Sequence, residues 1–163
     1  MFGDVQVSGT GEVLSNWEEL KRREKGQATN TDALEAVARS LPALWRAEKV
    51  QKKAAKAGFD WPDVSGALDK LSEELAELRA AVAAGTNVEE ELGDLLFSAV
   101  NVARFVKADP EEALSSACDK FIRRFRLVEQ AAARSGQAME DMDLKKLDKL
   151  WEQAKQDLKA DTP

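Results

Sequence analysis

The chain has 163 residues, a length that suits one domain with its own core. Its formal charge is −6, with 24 Lys+Arg against 30 Asp+Glu, which argues against a general nucleic-acid binder, since such proteins carry a basic face. Histidine and tyrosine are both absent, which excludes His-dependent triads, histidine-type zinc sites and imidazole as a general base; acid–base or metal chemistry must run on carboxylates, lysines, arginines and water.

Residues 1–11 are short, punctuated by Gly, Ser and Thr, and poorly periodic, so they are read as an extended arm. This stretch lacks the basic end and apolar run of a secretory signal. Residues 12–25 read as a helix, with Val13, Leu14, Trp17 and Leu20 on one stripe, followed by a polar linker over 26–31 and a short helix over 31–39. Residues 1–40 are therefore assigned as arm and linker, and 41–160 as the compact helical domain.

Pro42 opens a helix that ends at Gly58, and Phe59-Asp60-Trp61-Pro62 makes a turn carrying two aromatics. A second helix runs over 63–84 and stops at Gly85. Asn87 is expected to cap a third, to about residue 107. Asp109-Pro110-Glu111-Glu112 combines cap, first-turn proline and acidic first turn, starting a fourth helix that ends at Gly136. A fifth begins near Asp143 and carries Leu144, Leu147, Leu150 and Trp151. Charged, alanine and leucine residues dominate and no strand pattern competes, so the expected fold is an all-α antiparallel helical bundle joined by short links. No run of 18 apolar residues is present, so no membrane-spanning helix is expected. The single Cys118 cannot close an internal disulfide, which suits a reducing cytoplasm.

The second helix reads Glu73-Glu74-Leu-Ala-Glu77 and the third Glu89-Glu90-Glu91-Leu-Gly-Asp94. Glu74 and Glu77, like Glu91 and Asp94, are spaced i,i+3 and share a helix face. Folding the helices back about Gly85 and Thr86 is expected to bring Glu77 level with Asp94, with Glu74 and Glu91 about one turn away on either side. Four converging carboxylates repel one another unless a cation joins them, and a hard ion with oxygen ligands, magnesium foremost, answers that need. Each cluster alone is also compatible with a solvated face or a dipole-complementing first turn. Asp94 tips the balance: it lies in Leu-Gly-Asp-Leu-Leu-Phe-Ser-Ala-Val-Asn-Val-Ala, expected to be buried nearly all round, with Ser98 and Asn101 extending Glu91 and Asp94 into one polar stripe.

Positive charge for a polyanion is available at Lys120-Phe-Ile-Arg-Arg-Phe-Arg, where Lys120 and Arg124 share a face. Trp151 and Lys155, again i,i+4, can cover a base or sugar and reach phosphate, or serve as a core anchor and a snorkelling lysine. Trp45, Phe59 and Trp61 either shape a base pocket or anchor the core, the commoner use of such aromatics. Trp17-Glu-Glu-Leu-Lys21 echoes Trp151-Glu-Gln-Ala-Lys155, as a lost copy of one unit or by chance.

At these residues the sequence resembles the MazG family of nucleoside triphosphate pyrophosphohydrolases, specifically its C-terminal catalytic unit. The match runs from about 41 to 155, through LPALWRAEKVQKKAAKAGFDW, the EExxE at Glu73–Glu77, EEELGDLLFSAVNVAR, KFIRRF and WEQAK. The resemblance implies Glu74, Glu77, Glu91 and Asp94 as ligands of Mg2+, with Mn2+ as a possible substitute. It places Lys120, Arg123, Arg124, Trp151 and Lys155 at the nucleotide, with Lys70, Leu71, Ser72, Glu73 and Glu74 and Asn87, Val88, Glu89 and Glu90 lining the same pocket. It further implies conversion of a nucleoside triphosphate to the monophosphate and pyrophosphate by magnesium-assisted attack of water. Glu73 or Glu74 is the candidate base, and Lys120 and Arg124 neutralise the developing charge. Family members assemble as dimers or higher oligomers; neither nucleic acid nor membrane is an expected partner. By the same resemblance, residues 2–40 look like the end of a first repeat and the linker that follows it in two-unit relatives, and Asn87 stands where some relatives carry lysine. Two alternatives remain open: a non-catalytic helical dimer, and a narrower relative such as a dUTP, dCTP or phosphoribosyl-ATP hydrolase.

Overall fold

The computed structural model describes residues 29–160, together with Trp17, Leu20 and Gly26. Trp17 and Leu20 are helical; the rest of the expected arm and of the helix over 12–25 lies outside the described residues. The described residues contain no strand.

Helix α1, Asn30–Glu35, starts in a reciprocal cap: the Thr29 hydroxyl accepts from the Asp32 N–H at 3.1 Å, and the Asp32 carboxylate accepts from the Thr29 N–H at 2.7 Å. It ends earlier than the sequence pattern suggests, because turns over 36–41 lead into Pro42, which disfavours helical geometry in the residue before it. Helix α2, Ala43–Lys56, stops before Gly58, which has a φ of 91°. Helix α3, Val64–Ala84, is capped by Asp63, whose carboxylate accepts from the Ser65 N–H at 2.8 Å. Its other end is Gly85, left-handed at φ 70°.

Helix α4, Val88–Phe105, begins after Asn87, which does not cap it: Asn87 is itself left-handed at φ 55° and its side chain makes no capping bond. Asparagine serves here because it tolerates that conformation, closing a three-residue link between α3 and α4. The acidic first turn, Glu89, Glu90 and Glu91, complements the helix dipole. Helix α5, Pro110–Arg134, has the expected first-turn proline and acidic start, and a 3-10 turn at Met139–Asp141 precedes α6, Leu144–Ala160. Asp143 caps α6 by accepting from the Lys146 N–H at 2.7 Å.

The chain divides into two compact units, Met1–Pro110 and Glu111–Pro163. In the first, α3 and α4 form an antiparallel hairpin, α2 packs on α4, and α1 packs on α2. Val37, Ala67, Ala81 and Val100 are its buried apolar residues, and the Trp45 indole N–H donates to both carboxylate oxygens of Asp109, at 2.9 and 3.0 Å. In the second, Val128, Ala132, Met142 and Ala154 are buried. Phe121 meets Trp151 with ring centroids 5.1 Å apart.

Helix α4 is not buried all round. Only Ser98 and Val100 are fully covered, while Leu92, Leu96 and Phe97 stand exposed, Leu96 at 49%. Two helices, α2 and α3, cover α4 within this unit, and one flank is left open. The partner helix shows the same pattern, with Leu68, Leu75 and Val82 exposed at seven-residue spacing along α3.

Candidate metal centre and nucleotide site

The α3–α4 hairpin brings Glu74, Glu91 and Asp94 together, with one carboxylate oxygen from each lying within 4.8 Å of the others. Glu74 is the buried member, 4% exposed, whereas Glu91 is half-buried and Asp94 faces solvent. This reverses the expectation that Asp94 is the enclosed carboxylate; the open flank of α4 exposes it. Lys70, one turn earlier on α3, reaches Glu74 Oε1 at 2.6 Å and Glu73 at 3.0 Å. Glu74 Oε2 is buried and has no hydrogen-bond partner. An unpaired buried carboxylate oxygen is costly, more so beside two further carboxylates. A hard divalent cation answers both costs, and a donor set made wholly of carboxylate oxygens is the kind magnesium or manganese takes. The residues present fit such an ion.

Glu77 is not in this triad. Glu74, rather than Glu77, meets Asp94, a one-turn shift from the register expected by folding about Gly85 and Thr86. Glu77 lies beside Glu74, and partial desolvation followed by the Glu74 charge raises its carboxyl above the ordinary range. It lines, with Thr86, Asn87 and Glu91, an open cavity of about 290 Å3 at the hairpin's loop end. The hydrogen bond to Glu74, then that to Glu73, raises the Lys70 ammonium above its usual range, so it stays charged.

Of the remaining expected lining, Leu71 is half-buried and Glu73 exposed, while the Ser72 hydroxyl donates to the Leu68 carbonyl of its own helix at 3.0 Å. Val88, Glu89 and Glu90 are exposed in the first turn of α4.

In the second unit the Arg124 guanidinium lies over the Trp151 ring, 5.7 Å from its centroid, in cation–π range. Arg124 Nε is buried with no hydrogen-bond partner. Lys120, one turn earlier, and Arg123 are exposed. Lys155 pairs with Glu152 at 2.6 Å. Arg124 and Trp151 are therefore brought together, while Lys155 has a local counter-ion.

Sequence reasoning missed a second polar group in the first unit. Gln51, 6% exposed, donates from Nε2 to the Phe97 carbonyl at 2.8 Å. Arg104 makes a two-pronged pair with Asp60, one prong at 2.9 Å, and also donates to Asn101 Oδ1 at 2.8 Å. That hydrogen-bonded pairing holds the Asp60 carboxyl below its usual range. The available signal was Gln51 itself, a polar residue seven after Leu44 and four after Ala47, on the apolar stripe of α2. Nor are Trp45, Phe59 and Trp61 core anchors: all three are exposed.

Residues 63–128 match the MazG nucleotide pyrophosphohydrolase domain family, a span that includes the whole α3–α4 hairpin. The chain is 43% identical over 159 residues to the nucleoside triphosphate pyrophosphohydrolase of Escherichia coli K12, covering 95% of this chain and 60% of that protein. It is 41% identical over 155 residues to the nucleoside triphosphate pyrophosphohydrolase/pyrophosphatase MazG of Thermotoga maritima, covering 95% of this chain and 58% of the relative. A third relative, the uncharacterized protein YabN of Bacillus subtilis, is 47% identical over 96% of this chain and 32% of its own length. The chain thus spans about 60% of the length of the first of these relatives. The carboxylate hairpin lies inside the span over which the chain is similar to the MazG nucleotide pyrophosphohydrolase domain family.

Proposed function

We propose that the protein is a divalent-cation-dependent nucleoside triphosphate pyrophosphohydrolase, magnesium being the working ion and manganese a substitute. The observation that carries this reading is the buried Glu74, whose Oε2 has no hydrogen-bond partner and whose carboxylate lies together with those of Glu91 and Asp94. The named activity of relatives sharing 41–43% identity supports it. When bound, the ion clamps phosphate oxygens and makes water a better nucleophile.

The chain's own residues do the rest. Glu74, Glu91 and Asp94 hold the ion, and Glu77 sits one turn along α3 from Glu74 to extend the site toward the loop-end cavity. Lys70 fixes the Glu74 rotamer and keeps one of its oxygens engaged, so that the other is presented. Glu73, exposed beside it, orients the attacking water. That attack breaks the anhydride between the α- and β-phosphorus atoms, and the products are the nucleoside monophosphate and pyrophosphate. Within the second unit, Lys120 and Arg124, with Arg123 and Lys155, are the groups suited to polyphosphate charge, and Trp151 offers a ring face for a base or sugar.

The exposed Leu68, Leu75 and Val82 of α3, with Leu92 and Leu96 of α4, suit a homodimer or higher homo-oligomer in which helices of a second copy cover them. The one cysteine, Cys118, free and exposed, suits a reducing cytoplasm, and clearing unwanted nucleotides from the pool suits the chemistry. No helix among the described residues is long and apolar enough to cross a membrane.

The test is incubation with each of the eight common triphosphates and magnesium, scoring pyrophosphate against orthophosphate. The reading requires pyrophosphate and monophosphate in equal amounts, and Asp94→Asn should abolish this with the helical circular dichroism signal retained. Turnover of one pyrimidine nucleotide alone would point to a narrower hydrolase. No turnover of any would leave a non-catalytic helical module.

A further inference from the structure

Arg46, Lys49, Lys52, Lys53 and Lys56 all lie on helix α2, although the chain's formal charge is −6. Arg46, Lys49, Lys53 and Lys56 fall at i, i+3, i+7 and i+10, a single line about 15 Å long down the helix. The opposite face of α2 is engaged: Gln51 is buried and donates to the Phe97 carbonyl of α4. The line of cations therefore points away from α4. Arg46, Lys49 and Lys56 are exposed and Lys53 is half-buried.

Helix stability does not account for this line. Lys53 and Lys56 stand in the last turn, where cations complement the helix dipole. Arg46 and Lys49 stand in the N-terminal half, where the dipole disfavours them, and the first turn of α2 has no acidic residue to offset this. Like charges three or four residues apart also repel by about 0.2–0.5 kcal/mol per pair. Lys52 has a counter-ion, Glu48, at 2.8 Å. Arg46, Lys49 and Lys53 have no ion-pair partner among the described residues. An anionic partner laid along the helix relieves both the repulsion and the dipole mismatch.

The surroundings decide which anion. Cations strung along a line do not converge on one phosphate group, so a free phosphate or a nucleotide is a poor match. Carboxylates border the line at both ends. Near its start the Trp45 indole holds Asp109, at 2.9 and 3.0 Å, and past its end come Asp60 and Asp63 in the turn into α3. A long phosphodiester chain runs beyond the line and meets those carboxylates. A short segment with its own carboxylates at helical spacing matches the line without reaching them. Trp45, 40% exposed and one residue before Arg46, adds an aromatic contact at its edge.

We propose that the outer face of α2 docks an acidic helical segment of a partner protein, with Glu or Asp at the matching i, i+3, i+7 and i+10 positions and Trp45 beside them. Arg46 and Lys49, which the helix itself does not favour, carry the recognition. The face shares no residue with the carboxylate triad, and the proposal stands apart from the pyrophosphohydrolase reading.

The test is fluorescence anisotropy with the full chain and a fluorescein-labelled, alanine-rich helical peptide bearing glutamates at those four spacings. A peptide of the same composition with its glutamates scattered round the helix, and a single-stranded oligonucleotide, are the comparisons. The spaced peptide should bind about ten-fold more tightly than the scattered one, the sum of a few exposed charge pairs, and should weaken as salt is added. In Arg46→Glu/Lys49→Glu its affinity should fall by about ten-fold or more. The reversal suits the helix dipole, so circular dichroism should show the helix retained; Arg46→Gln/Lys49→Gln is the milder second variant and should lose affinity in the same direction. Equal binding of the two peptides, no binding of either, or unchanged affinity in both variants overturns the proposal. Tighter binding of the oligonucleotide than of the spaced peptide assigns the face to nucleic acid and overturns it as well.

Discussion

Replacing Glu74 by glutamine removes one negative charge from the triad while keeping its shape. At an effective dielectric near 20, two unit charges separated by the 4.8 Å limit of the triad repel by about 3.5 kcal/mol. Glu74 takes part in two such pairs, and solvent at the exposed Asp94 edge screens the sum to a fraction of that figure. Against this relief stands the lost charge on the partner of Lys70, a charge-assisted bond worth about 1.5–3 kcal/mol. The two effects oppose each other, so without metal the Glu74→Gln protein should melt within a few degrees of the parent. With metal they should separate. An ion at a hundred times its dissociation constant stabilises the folded state by about 2.7 kcal/mol. At about 2–4 °C per kcal/mol for a chain of this size, the parent melting temperature should rise by roughly 5–11 °C. The assay is calorimetric melting of both proteins in chelator and across a magnesium or manganese series. A saturable rise in the parent and none in the variant is the expected result. Equal rises in both, or none in the parent, would refute the idea that the buried Glu74 oxygen awaits a cation.

Three further outcomes follow from the geometry. Gly66→Ala gains about 1 kcal/mol of helix propensity but drives a methyl to 2.8 Å from the Trp61 ring; in fluorotryptophan-labelled protein the Trp61 fluorine resonance should move with net stability changed by under about 1 kcal/mol, and an unmoved resonance would contradict the contact. The Asp60 carboxyl is held below its usual range by Arg104, so its contribution to stability is full above the unfolded-state carboxylate range and fades as pH falls through its own lower value. The loss of stability as pH falls below the unfolded-state carboxylate range should therefore be smaller in Asp60→Asn, which will be less stable than the parent by about 1–3 kcal/mol at neutral pH; parallel pH profiles would count against the pair. Leu75→Lys with Val82→Lys puts two charges on the open stripe of α3, and light scattering should show a smaller assembly than the parent's. An unchanged mass would place the interface elsewhere.

Much of the fold was written locally. The stops at Gly58, Gly85 and Gly136 and the starts at Asp63, Pro110 and Asp143 depend on backbone rules that act within a turn, and each falls within a residue or two of its expected place. What was less legible depends on contacts between helices. Spacing alone put Glu77 opposite Asp94, whereas the left-handed pair Gly85 and Asn87 sets a link that brings Glu74 there instead. The run from Leu92 to Ala103 reads as a wholly buried helix because it is apolar on most faces, and composition does not say how many neighbouring helices cover them. Asn87 looked like a cap because asparagine favours both that role and the left-handed conformation it adopts. The Asp60–Arg104 pair joins residues 44 apart in sequence, and no local pattern announces it.

The account turns on whether the three carboxylates hold a divalent ion. Anomalous diffraction at the manganese edge, from crystals grown with Mn2+, decides this by position. The expected result is a peak bonded to Glu74 Oε2 and shared with Glu91 and Asp94. Ordered carboxylates turned to bulk solvent, with no peak among them at saturating Mn2+, would contradict it.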